Sequence, residues 1–157
     1  MENQLTILAE SLEQKIQVLT EIQEYNMRQE QAFTNGTVKL DDFDAAVEEK
    51  GKLIERLAKL DEGFEILYAG LSKQLQNNRE KYAPEIRGLQ QQIARITEMS
   101  VAIQAQEKRN KQLVEQFFSR ERTNLGQNRK TSKAAYDYYK KMNNTSYTQS
   151  QYYDSKK

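Results

Sequence analysis

The side chains behind most enzyme chemistry are missing from this 157-residue chain, which holds no His and no Cys. Zinc fingers, thiol nucleophiles, Ser-His-Asp triads and axial haem histidines are therefore excluded. So are disulfides, in any compartment. Carboxylates are the remaining candidates for acid–base work, and pairs such as Glu21 with Glu24 and Glu48 with Glu49 are plentiful. Glycosidase and di-iron chemistry needs such pairs inside a cleft or bundle core, and the bundle di-iron motif also needs Glu-x-x-His. Most carboxylates here lie off the apolar stripes and read as solvated helix faces. Gly51-Lys52 has the ending of a phosphate loop, but the upstream glycines are absent and the spot falls mid-helix. The basic run Lys108-Arg109-Asn110-Lys111 reads as a solvated face. Asn143 and Asn144 open formal glycosylation sequons that read as chance matches. The expectation is no cofactor, no metal site and no enzymatic activity.

Three long segments must position whatever the chain does use. From Asn3 to Phe33, Leu5, Leu8, Leu12, Ile16, Leu19 and Ile22 recur at steps of three and four, which predicts a helix with one apolar stripe. Those steps are not a clean heptad and predict a weak or irregular supercoil. Asn35-Gly36 is a stop signal, because both residues tolerate the left-handed conformation that ends helices. From about Lys39 to Gln76, a strict 3-4 alternation runs from Leu40 and Phe43 to Leu71 and Leu75, with polar groups only at Lys50 and Asp61. Polar seam residues of that kind cost stability and can fix register, or can mark where a partner helix has drifted away. Pro84 suits a helix first turn. The third stripe then runs through Ile86, Leu89, Ile93 and Ile96 and turns polar at Ser100, Glu107 and Asn110. It ends on Val114 and Phe117, with a helix to at least Arg120 and possible continuation to Lys141.

The resulting fold class is all-α, an elongated antiparallel helical hairpin or three-helix bundle with coiled-coil character. No segment approaches the apolar length of a membrane span, so no membrane insertion is expected. The opening MENQLTILAE lacks both a basic and an apolar leader region, which predicts a cytoplasmic location. The last 38 residues differ in kind: nine Lys or Arg face three acids, and six of the nine Tyr lie there. The overall charge of +1 thus divides into an acidic body and a basic end. Residues 1–142 form the expected helical domain, and 143–157 a polar, Tyr-containing tail expected to be disordered. Within AAYDYYKKM, helical spacing puts Ala135, Tyr138, Tyr139 and Met142 on one side. Basic residues with interleaved Tyr allow a weak single-stranded nucleic-acid reading, but the acidic body opposes it. No nucleic acid is expected as a partner. The apolar width at Leu113, Val114, Phe117 and Phe118 fits a partner helix, or closes the bundle's own end. Self-association through the same seams stays open.

The order and spacing of the segments resemble the FlgN-type flagellar export chaperones. LTILAESLEQKIQVLTEIQEYNMRQEQAF resembles the opening helix of that family, VEEKGKLIERLAKLDEGFEILYAGL its second helix and LQQQIARITEMSVAIQAQEKRN its third. SKAAYDYYKKM resembles a terminal Tyr-Tyr segment of related chaperones. The likeness spans roughly residues 5 to 142. It implies a small cytoplasmic helical chaperone of type III export. Such a chaperone binds the helical C-termini of hook–filament junction proteins, prevents premature assembly, delivers its clients to the export apparatus and uses no cofactor. A different flagellar client (filament cap or flagellin) or a non-enzymatic coiled-coil scaffold are the alternatives. At the level of region, the resemblance places client binding in the C-terminal half, on Ile103, Leu113, Val114, Phe117, Phe118, Tyr138 and Tyr139.

Overall fold

The computed structural model describes residues 1–120, together with residues 137 and 138. Three helices follow one another: α1 (Glu2–Asn35), α2 (Leu40–Asn77) and α3 (Ala83–Arg120). There is no strand among the described residues. At 1.5 Å per residue, helices of 34 and 38 residues are about 51 and 57 Å long. The structure is therefore an elongated three-helix bundle; α1 and α2 lie within a residue or two of their expected spans, and α3 starts within a residue of Pro84.

The links explain why the chain reverses where it does. Gly36 takes φ +68°, and the Thr37 N–H donates to the Ala32 carbonyl at 2.9 Å. This left-handed turn satisfies carbonyls that the end of α1 would leave bare. Asp41 and Asp42 then occupy the first turn of α2, where the helix dipole favours negative charge. At the other end, the Asn78 side chain donates to the Gln74 carbonyl at 2.8 Å. Buried Tyr82 leads into α3, with Pro84 in its first turn.

The pairings across the bundle set its direction. Lys15 meets Asp61 and Phe33 meets Phe43, so α1 and α2 are antiparallel. Gln92 donates to the Ala9 carbonyl, while Asn110 donates to that of Asn26, so α1 and α3 run parallel. Helix α1 packs along both neighbours, and the backbones of α2 and α3 stand further apart. As the central element, α1 is buried beyond a single stripe, at Ile16 and Val18 as well as on the seam.

Two expectations change here. The buried positions of α1 include Leu5, Leu8, Leu12, Lys15, Leu19, Ile22, Asn26 and Gln29. These form a regular 3-4 alternation, not an irregular one, because three of its seam positions carry polar side chains. Lys50 and Asp61 do not sit where a partner has drifted away. Both are buried and ion-paired across the seam.

Candidate functional site

Polar side chains inside a narrow bundle need partners, since an unpaired buried charge is far costlier than an apolar group. Two layers supply them. In the lower one, Lys15 Nζ lies 2.6 Å from Asp61 Oδ1, each side chain 4% exposed. In the upper one, Lys50 Nζ lies 2.8 Å from Glu107 Oε1 and donates to Gln29 Oε1 at 3.2 Å. The Tyr138 hydroxyl donates to Glu107 Oε1 at 2.8 Å, and the Lys50 ammonium lies 4.3 Å from the centre of the Tyr138 ring. Tyr138 is helical and buried. Next to this layer, Asn26 Nδ2 donates to Gln106 Oε1 at 3.3 Å.

Burial pushes the Lys50 amine below its usual range, and the Glu107 carboxylate offsets only part of that. Amines of lowered pKa are the kind that attack carbonyls. This one has 0% of its side chain exposed, so no substrate carbonyl can reach it in the closed bundle. The layer's evident work is to hold α1, α2, α3 and Tyr138 together. No group of three or more His, Cys, Asp or Glu side chains could hold a metal ion among the described residues. No helix among them is long and apolar enough to cross a membrane.

The top of the bundle is closed by rings. Phe33 meets Phe43 and Phe117 edge-on at 5.3 and 5.4 Å between centroids, and Phe118 packs against both Phe43 and Phe117. Edge-to-face pairs of this kind add about 0.5–1.5 kcal/mol each beyond area burial.

A different feature opens lower down. From Phe64 to Gln76 on α2 and from Ala83 to Ile93 on α3, the helices leave a groove of about 320 Å³ between them. Its walls include Phe64, Tyr68, Leu75, Ile86, Leu89 and Ile93, with Arg79 and Arg87 near the α2–α3 turn. The Phe64 and Tyr68 rings stack, one helical turn apart, 5.9 Å between centroids.

The expected client-binding residues do not form one surface. Ile103 is fully buried, and Val114 is 4% exposed, so both belong to the core. Leu113 is half-buried, and Phe117 and Phe118 are half-buried in the aromatic closure. Tyr138 faces inward onto Glu107, and Tyr139 lies outside the described residues. The tail at 143–157 and any continuation of α3 past Arg120 also lie outside them, apart from Asp137 and Tyr138. The apolar groove residues are legible as stripe positions, but nothing in the periodicity says that α2 and α3 part there. Set against family models, curated proteins and solved structures, the chain matches none.

Proposed function

We propose that this protein is a FlgN-type flagellar export chaperone. It binds the helical C-termini of hook–filament junction proteins in the cytoplasm and keeps them from assembling early. The observation that carries the reading is the groove between α2 and α3. A bundle of three long helices with an apolar-walled trough between α2 and α3 offers a surface of the kind that amphipathic helices bind. Proteins that polymerise through terminal helices have apolar faces that self-associate when exposed. A seam of this kind covers such a face during transit. Handing the client on requires only moderate affinity, near micromolar, or about −8 kcal/mol.

The test is a titration of the full chain with the isolated C-terminal helical regions of the hook–filament junction proteins encoded in the same genome. Saturable one-to-one binding near micromolar affinity is expected, with clients held monomeric in sedimentation. Clients that polymerise equally fast with and without the chain would remove this reading.

A further inference from the structure

A second furrow, of about 540 Å³, runs between the first turns of α1 and α3. Ala9, Gly88 and Leu89 form its floor, and Glu10, Glu13 and Glu85 stand in its walls. All three carboxylates are exposed, and none forms an ion pair among the described residues. No Lys or Arg lines the furrow. The nearest cations are committed elsewhere: Lys15 is buried against Asp61, and Arg87 borders the α2–α3 groove. The two helices are tied together within the furrow by Gln92, which donates to the Ala9 carbonyl at 3.0 Å. Gly88 keeps the furrow open. An added Cβ there would meet nothing within 4 Å, so the missing side chain leaves free space and does not relieve a clash. A glycine inside a helix is unfavourable, and it lets another chain approach closely.

We infer that this furrow docks a basic amphipathic helix of a partner protein. The partner's narrow apolar stripe lies on Ala9, Gly88 and Leu89. Its Lys or Arg side chains flank that stripe on both sides, meeting Glu10 and Glu13 on the α1 wall and Glu85 on the α3 wall. Charge selects this occupant, because carboxylates rim an apolar floor on both walls with no cation to offset them. Lysine and arginine suit such a rim, since their stems cover apolar surface while their heads reach the acids. From Leu5 to Glu13 the α1 wall is about 12 Å long, or a little over two turns of a docked helix. A second copy meeting the furrow face to face would set carboxylates against carboxylates. Residues 139–157 of the chain itself carry Lys140, Lys141, Lys156 and Lys157 against Asp154. However, Tyr138, which precedes them, is seated between Lys50 and Glu107 on the other seam. That level is about 28 Å along α3 from Gly88. The furrow shares only Leu89 with the α2–α3 groove, and its role is independent of the chaperone reading.

The experiment uses the full chain and two fluorescent helical peptides of about 15 residues, or four turns. Both carry the same Ala/Leu stripe, flanked by Lys in one and by Glu in the other. Anisotropy titration is expected to show saturable binding of the Lys peptide, about tenfold tighter than the Glu peptide, because three exposed ion pairs of small individual worth act together. E10Q/E13Q/E85Q should erase that preference. Gly88→Leu should fill the furrow and weaken the Lys peptide about tenfold with every charge still in place. Both variants should keep the far-UV circular dichroism of wild type, since the three Glu are exposed and Leu is a better helix former than Gly. Equal affinity of the two peptides, or no saturable binding of the Lys peptide, overturns the inference. So does a Lys preference that Gly88→Leu leaves unmoved, because the attraction is then to acidic surface in general. Tighter binding of the Lys peptide to K140E/K141E/K156E/K157E than to wild type would make the chain's own end the occupant. A homodimer in sedimentation equilibrium that Gly88→Leu dissolves would make it a second copy. Either result overturns the assignment to a partner protein.

Discussion

Lys50 occupies a seam position at which a coiled coil favours an aliphatic side chain, and its ammonium has 0% exposure. What makes this tolerable is Glu107, supported by Gln29 and Tyr138. Lys50→Met removes the charge but strands the carboxylate, and is expected to destabilise the chain by about 3 kcal/mol in urea unfolding. Lys50→Met with Glu107→Leu is expected to return to within about 1 kcal/mol of wild type, because well-packed apolar groups replace ion pairs at little cost. Lack of recovery in the double variant would mean that packing, not charge, sets the loss. Burial also holds the Lys50 amine below its usual 10.5. Between that lowered value and 10.5, the unfolded chain still holds a proton that the folded chain has released. The unfolded state then binds more protons, so stability rises with pH across this window. Relative to the double variant, wild type should therefore gain stability as pH climbs toward 10.5. A difference independent of pH would contradict the assignment.

Two glycines of similar appearance in the sequence play opposite parts in their elements. Gly36 ends α1 at φ +68°, whereas Gly63 lies exposed inside α2 with nothing within 4 Å of an added Cβ. Gly36→Ala is expected to cost about 1 kcal/mol, and Gly63→Ala to add about 0.5–1 kcal/mol, both read from thermal melts. The same sign for both would show that α1 can end without a left-handed residue. Much of α2 and α3 is legible from alternation alone: Phe43, Val47, Ile54, Leu57, Leu89 and Ile96 are all buried as their spacing requires. Helix α1 is harder to read because Lys15, Asn26 and Gln29 fill seam positions, and an apolar-only pattern steps to Ile16 instead. Lys50, Asp61 and Glu107 can be recognised as seam residues, but their partners cannot. Pairing depends on the vertical register of helices joined by links far from either layer. The groove is hidden for a related reason, since the distance between two backbones leaves no trace in either stripe.

At the scale of the whole bundle, the two buried ion pairs lie on α2 eleven residues apart, at Lys50 and Asp61, roughly 16 Å along the helix axis. Sliding α2 by one turn would leave four buried charges without partners at once. The pairs therefore select one register from several that the aliphatic seam alone would accept. A quadruple variant, Lys15→Met, Asp61→Leu, Lys50→Met and Glu107→Leu, is expected to melt no lower than wild type yet to lose that selection. Spin labels on cysteines introduced at exposed Thr20 and Ala58 report it directly, because the chain has no native thiol to compete. A single narrow distance distribution in wild type should broaden or split in the quadruple variant. A distribution that stays narrow would assign register to the links and the Phe33–Phe43–Phe117 closure instead. The same pairs shape how descendants of this sequence can vary. A lineage that replaces Lys50 before Glu107 must cross a fitness valley several kcal/mol deep, whereas one that replaces both together crosses almost level ground. Positions 50 and 107, and positions 15 and 61, should therefore change in tandem over evolutionary time, as opposite charges or as two apolar residues, while the exposed positions around them drift one at a time.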